Sequence, residues 1–442
     1  MRLASALLCA VTATALASPP SKTCERAIKL YDTKDYLSAT IELHKVLTGN
    51  TSDDKKNLQR ARFFMGKALF NLGFYVPAYS SFDMITQDGA SHTYYTASIK
   101  WHAAIAEQLP ELPVDLGKYS TKDIQEPIND GARDQIAYRR GLLAIQQGKL
   151  ADAGRELERV PAASPYFGRA MLALGIVKLR AKQPATALTT LAKIPAGDPG
   201  QDIAALATGQ ELARTFKWDA ALAAYGKIDA KSKLATRAAW DASWIALARQ
   251  GKAPAALAAV ATTPVLDPDG PEAPTLFAAV AFDFCTNKKG LDALAGFRAS
   301  APTIEKQLET ILADADDADF YTKHVQKLRG GTAGTLAPRL QLLAHSALNG
   351  PAVNRPAALV TEIERELALV QSSLKAWQST AIAAEVTTEL TLVKSLAEGA
   401  VAVVARDRLR RLAADLVTLR RAATTKVVVS APGGSGLAVL CP

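Results

Sequence analysis

Residues 133–228 repeat themselves. Gly141, Gly175 and Gly209 lie thirty-four residues apart, and Ala153, Ala187 and Ala221 keep the same step. Leu157, Leu191 and Tyr225 add a third register, Val160, Ile194 and Ile228 a fourth, and Tyr138, Leu172 and Leu206 a fifth. A unit of this length is one supersecondary element that cannot bury its apolar face alone, so neighbouring units must stack. The small residues define each unit as a helical hairpin. The Gly lets the second helix approach the first, and the Ala does the same from the other side. The apolar residues four and seven positions after the Ala are expected to fill the groove to the next hairpin.

A period of this length, with Gly in the first helix and Ala in the second, resembles the tetratricopeptide repeat. The resemblance spans residues 24–302. A first unit, Cys24 to Asn50, carries Tyr36, Ala39, Leu43 and Val46, with Lys34 in place of the turn Gly. The second, Leu58 to Thr86, has Gly66 in its first helix, Gly73 at the turn, then Tyr75, Ala78, Phe82 and Ile85. A third helix with Tyr94, Tyr95, Ile99 and Trp101 lacks an Ala-centred partner and closes a block over 18–109. Pro110, Pro113, Gly117 and Pro127 mark 110–132 as a joint loop. A second block covers 133–302. After the three clear repeats comes a unit with Trp240 and Trp244 four residues apart, then a degenerate unit from Glu272 to Pro302 that caps the array.

Past Pro302 the period is lost. Residues 303–355 read as a helical connector and 356–427 as long amphipathic, coiled-coil-like helices. One apolar stripe runs through Leu359, Ile363, Leu367, Val370, Leu374 and Trp377; another runs through Val386, Leu390, Val393, Ala397, Ala400 and Val404; a third starts at Leu409. The five-residue step from Val404 to Leu409 breaks the heptad and favours a hairpin or docked bundle over one straight coiled coil. Ser379 and Thr380 suggest a turn at 378–382 and an N-cap. Residues 428–442 read as a flexible tail whose apolar end could instead add a strand to another protein. The expected fold class is all-α, a two-block solenoid followed by a long-helix module.

The first seventeen residues read as a secretory signal peptide. Arg2 is the positive end, Leu3 to Leu16 the apolar stretch and Ala15-Leu16-Ala17 the cleavage site. Cys24 follows Ser21-Lys22-Thr23, a poor lipidation signal. The expected location is periplasmic or secreted, with a mature chain starting at Ser18. Loss of Arg2 lowers the formal net charge from +9 to +8, which favours acidic partners or peripheral contact with anionic membrane. No dense basic stripe with stacking aromatics accompanies it, so nucleic acid is not an expected partner. Cys24, Cys285 and Cys441 match no metal or redox spacing, and their pairing stays open.

No catalytic, cofactor or metal site is expected. The five His residues are scattered, and no H-E-x-x-H, G-x-S-x-G or Cys-x-x-Cys is present. Asp314, Asp316, Asp317 and Asp319 lack the Gly and Glu positions of a calcium loop and read as a solvated acidic turn. The Gly-rich run from Gly330 to Thr335 lacks the ending of a phosphate loop. Three groups are candidates for partner binding, each set against a plainer reading. Tyr94, Tyr95 and Trp101 are either core or a contact patch, and so are Trp240 and Trp244. Arg406, Arg410, Arg411, Arg420 and Arg421 are either a solvated face or a dock for an acidic partner or anionic lipid.

The repeat resemblance implies a concave groove that holds a peptide or helix of a partner. The Lys and Asn clamp of chaperone-binding members is not evident, so no peptide class is implied. The architecture also resembles periplasmic repeat proteins of bacterial envelope machines, including gliding-motility complexes. The expectation is a non-enzymatic assembly scaffold for envelope proteins. A chaperone-like outer-membrane biogenesis factor is the alternative, and a peripheral cell-wall enzyme the second.

Overall fold

A computed structural model describes residues 19–110, 116, 130–232, 234, 235, 237–239, 241, 242, 245, 288–332 and 334–424. The leader, most of the 110–132 joint, Trp240, Trp244, Cys285, the tail with Cys441, and the side chain of Arg421 lie outside the described residues. Every regular element described is helical, and the fold is an all-α array of helical hairpins. The chain forms two compact units. Among the described residues, one gathers 19–110 with 363–391, and the other gathers 116, those from 130 to 362, and 392–424.

In the first unit, α1 (Lys22–Asp32) pairs with α2 (Tyr36–Leu47), and α3 (Lys55–Asn71) with α4 (Tyr75–Gln87). The helix α5 (Tyr95–Gln108) packs on α4. Three of these helices start where the sequence supplies a cap. Ser21 accepts the Cys24 amide at 3.1 Å, Asp35 that of Ser38 at 3.2 Å, and Asp54 that of Asn57 at 2.9 Å. Each bond satisfies a donor that a helix start leaves open. Phe74 precedes α4 and offers no such oxygen.

The second unit opens with three further hairpins. They are α6 (Asp130–Gln146) with α7 (Leu150–Leu157), α8 (Phe167–Arg180) with α9 (Pro184–Leu191), and α10 (Gln201–Arg214) with α11 (Trp218–Tyr225). One core holds Ala153, Leu157, Val160, Tyr166, Met171 and Leu174; the next holds Ala221, Tyr225, Ala238 and Ile245. Every described hairpin reverses through one left-handed residue: Lys34 (φ 65°), Gly73 (84°), Gly148 (72°), Lys182 (58°) and Phe216 (59°). The last three keep the thirty-four-residue step.

Several expectations change in detail. The apolar residue four positions after the Ala sits over the Gly of its own hairpin. A Cβ built on Gly66 would lie 2.8 Å from the Phe82 ring, and one on Gly141 would lie 2.6 Å from Leu157; Leu191 and Tyr225 crowd Gly175 and Gly209 in the same way. The Gly is therefore a socket for a side chain sixteen residues on. Pro302, read as the end of the second block, lies inside the helix Lys288–Ala313. The helix Ala381–Thr424 runs unbroken past the 404–409 step. Its buried stripe passes through Val401, Ala405, Leu409, Leu412 and Leu416, whereas Ala400 is exposed. Val401 and Ala405 carry the buried face across the step, one residue on from Ala400 and Val404. Leu374 is 68% exposed because the helix Pro351–Ser372 has ended and the chain is extended there. Residues 363–391 cluster with the first hairpins in one compact unit.

Candidate partner-binding surfaces

Within the first unit, residues 363–391 lie against α2 and α4. Trp377, 1% exposed, stacks on Phe74 at 5.5 Å and 9°, and its indole N–H donates to Thr40 Oγ1 at 3.0 Å. Glu366, fully buried, accepts the Val76 amide with both carboxylate oxygens at 3.3 Å. This supplies the side-chain acceptor that α4 lacks at its start. Ser80 of α4 donates to Glu389, whose carboxyl burial pushes above its ordinary range. His44 of α2 meets Glu385 at 2.9 Å. The second-helix side of this block is thus filled by the chain's own polypeptide.

The first helices α1 and α3 carry a different surface. Tyr31 and Phe64 meet edge-on at 5.0 Å, and Tyr36 packs on Tyr31 at 5.3 Å. The Lys67 ammonium lies 4.5 Å from the Tyr31 ring centre and 4.6 Å from that of Phe64, close enough for cation–π attraction. Burial lowers the pKa of Lys67. Asn71 donates to the Tyr31 hydroxyl at 3.2 Å. Tyr31, Phe64 and Lys67 are each half-buried, so rings and charge also face outward. Tyr31, Phe64 and Lys67 lie on two helices and outside the repeat registers, so no periodic signal marks them.

The aromatic candidates of α5 face inward in part. Tyr94 stacks on Phe63 at 4.5 Å and 10°; Trp101 stacks on Phe82 at 5.6 Å and meets Phe70 edge-on at 5.0 Å. Tyr95 is half-buried at the start of α5. Trp101 thereby covers the ring that fills the Gly66 socket. Ala78, Ala153, Ala187 and Ala221 are all fully buried.

In the second unit the arginine candidates divide. Arg406 pairs with Asp316 at 2.9 Å, and Arg420 with Glu305 at 3.0 Å. These two tie the long helix to residues 305–316. Arg410 and Arg411 are exposed. The acidic turn is also paired: Asp314 meets Lys323 and His324, each at 2.7 Å, and those bonds hold its carboxyl below the usual range. Among the described residues, no group of three His, Cys, Asp or Glu is placed to hold a metal ion.

Residues 144–209 match the family model of the tetratricopeptide repeat. Among solved structures, the chain is similar to the C-terminal part of a tetratricopeptide repeat-containing protein from Cytophaga hutchinsonii. The identity is 14%, over 61% of this chain and 98% of that one, with a TM-score of 0.32. No curated protein matches the sequence.

Proposed function

We propose that this chain, a tetratricopeptide repeat protein, works as a non-enzymatic periplasmic scaffold that assembles a protein complex of the cell envelope. Repeat arrays of this kind serve as protein-interaction scaffolds. The observation that carries the finer reading is the half-exposed cluster of Tyr31, Phe64 and Lys67 on first helices α1 and α3. The second-helix side of the same block is taken up by Trp377, Glu366 and Glu389. A partner segment bringing an apolar side chain and a carboxylate matches the chemistry of the cluster. Desolvated aromatic and cationic residues are the usual anchors of protein interfaces.

The periplasmic assignment rests on the pattern of residues 1–17. N-terminal sequencing of the exported protein tests it. A start at Ser18 supports the assignment, and a retained Met1 in a cytoplasmic fraction removes it. The scaffold reading is tested by crosslinking in cells with the full chain. Selective capture of a small, reproducible set of envelope proteins supports it. Indiscriminate binding of denatured clients would favour the chaperone-like alternative instead.

A further inference from the structure

The turns between first and second helices in the second unit's three hairpins are equivalent under the repeat. Successive hairpins pack on one another, α7 on α8 and α9 on α10, with α6, α8 and α10 as neighbours, so these turns follow one edge of the array. They read Gln146-Gln147-Gly148-Lys149, Arg180-Ala181-Lys182-Gln183 and Arg214-Thr215-Phe216-Lys217. Each needs a left-handed residue, a conformation that glycine, as at 148, adopts most readily. Phe216 holds it at φ 59° while 73% exposed. One position thus combines a strained backbone with a large apolar side chain in water, and strain of this kind concentrates at functional positions. Its ring meets Trp218 edge-on at 5.3 Å, which makes the tip a pair of aromatics.

The charges beside that tip are mainly positive. Lys149, Arg180, Lys182 and Lys217 are exposed along the same edge. Arg214 pairs with Glu211 at 2.6 Å, and Asp152 pairs with Arg155. Asp219, one residue after Trp218, is a further carboxylate of this stretch. We propose that this edge docks on an anionic lipid surface, with Phe216 inserted at the headgroup level and the four cations against lipid phosphates. The aromatic ring suits the boundary between headgroup and acyl chain, and long basic side chains can spread over it. A ring projecting from a turn asks a protein partner for a matching pocket, whereas a bilayer surface yields to it. Among the described residues no helix is long and apolar enough to cross a membrane, so the contact is peripheral. The proposal is independent of the scaffold reading, which stands if it fails.

Vesicle flotation with the full chain tests it, using phosphatidylcholine vesicles with and without phosphatidylglycerol. The protein should float with the anionic vesicles alone, and less so as salt rises. Phe216→Gly should weaken the association roughly tenfold or more, by removing an inserted ring. That variant places glycine in a conformation glycine favours, so an unchanged or higher melting temperature certifies its fold. A combined Lys149→Gln, Lys182→Gln, Lys217→Gln variant should also lose binding. Equal flotation with neutral vesicles, or full binding by Phe216→Gly, would overturn the proposal. So would Phe216-dependent binding to polyglutamate with no vesicle binding, which would assign the edge to an acidic protein.

Discussion

Both carboxylate oxygens of Glu366 lie 3.3 Å from the Val76 amide, although the two residues are 290 positions apart in the chain. A helix start that the local sequence leaves uncapped is completed by a buried carboxyl group far along the chain. Glu366→Ala should cost about 2 kcal/mol, since it strands the amide and opens a cavity. Glu366→Gln keeps an accepting oxygen and should cost about half as much. Chemical denaturation followed by circular dichroism measures both. Equal costs would mean that the cap is not what Glu366 contributes.

Trp377 is the apolar counterpart of that contact. Trp377→Ala should cost about 3–5 kcal/mol and release residues 363–391 from α2 and α4. Trp377→Phe keeps a ring over Phe74 and gives up the bond to Thr40, a loss of about 1 kcal/mol. Limited proteolysis at the 373–380 turn reads the release, with fast cleavage expected for the alanine variant only.

The glycine sockets make a test with two opposite signs. Alanine for glycine inside a helix is ordinarily worth about 1 kcal/mol in favour of the fold. At Gly399 a Cβ meets nothing within 4 Å, so Gly399→Ala should stabilise by up to about that much. At Gly141 the same change drives a Cβ to 2.6 Å from Leu157, and overpacking of that kind costs about 1–3 kcal/mol. Gly141→Ala should therefore melt below the wild type and Gly399→Ala above it. Both moving in the same direction would remove the socket from the account.

Glu389 gives the contact a pH dependence. Burial raises its pKa in the folded protein, with the neighbouring charge of Glu385 adding to the rise and the Ser80 hydrogen bond opposing it. The folded state then holds the proton over a pH range where the unfolded chain has lost it. The associated stability is present below the unfolded carboxylate value and fades as pH rises through the folded value. Glu389→Gln should narrow the gap between melting temperatures at mildly acidic and neutral pH. A gap unchanged by the substitution would place the titration elsewhere.

The repeat was legible because its determinants are local and periodic. Gly141, Ala153 and Leu157 recur at a fixed step, and each stands for one contact inside one hairpin. What the sequence hid was pairing across distance. Glu366 looks like any polar residue of an amphipathic helix until Val76 is beside it. Arg406 and Arg420 read as a basic face until Asp316 and Glu305 meet them. The stripe read through Ala400 and Val404 meets a five-residue gap, whereas the buried face runs through Val401, Ala405 and Leu409 and needs no break. The Tyr31, Phe64 and Lys67 cluster draws on two helices and has no repeat register to announce it. Phe216 shares a turn register with Gly148 and Lys182, but its left-handed backbone and its exposed ring appear only in the structure.

Removing everything after residue 355 would also take 363–391 away from the first block, so a point substitution is the cleaner probe of the scaffold. The decisive measurement is crosslinking in cells with the full chain and with Lys67→Glu, after thermal melts show that the two are equally stable. The wild type should capture a small, constant set of envelope proteins, and Lys67→Glu should lose it. Identical capture by both chains, or none by the wild type, would contradict the scaffold reading.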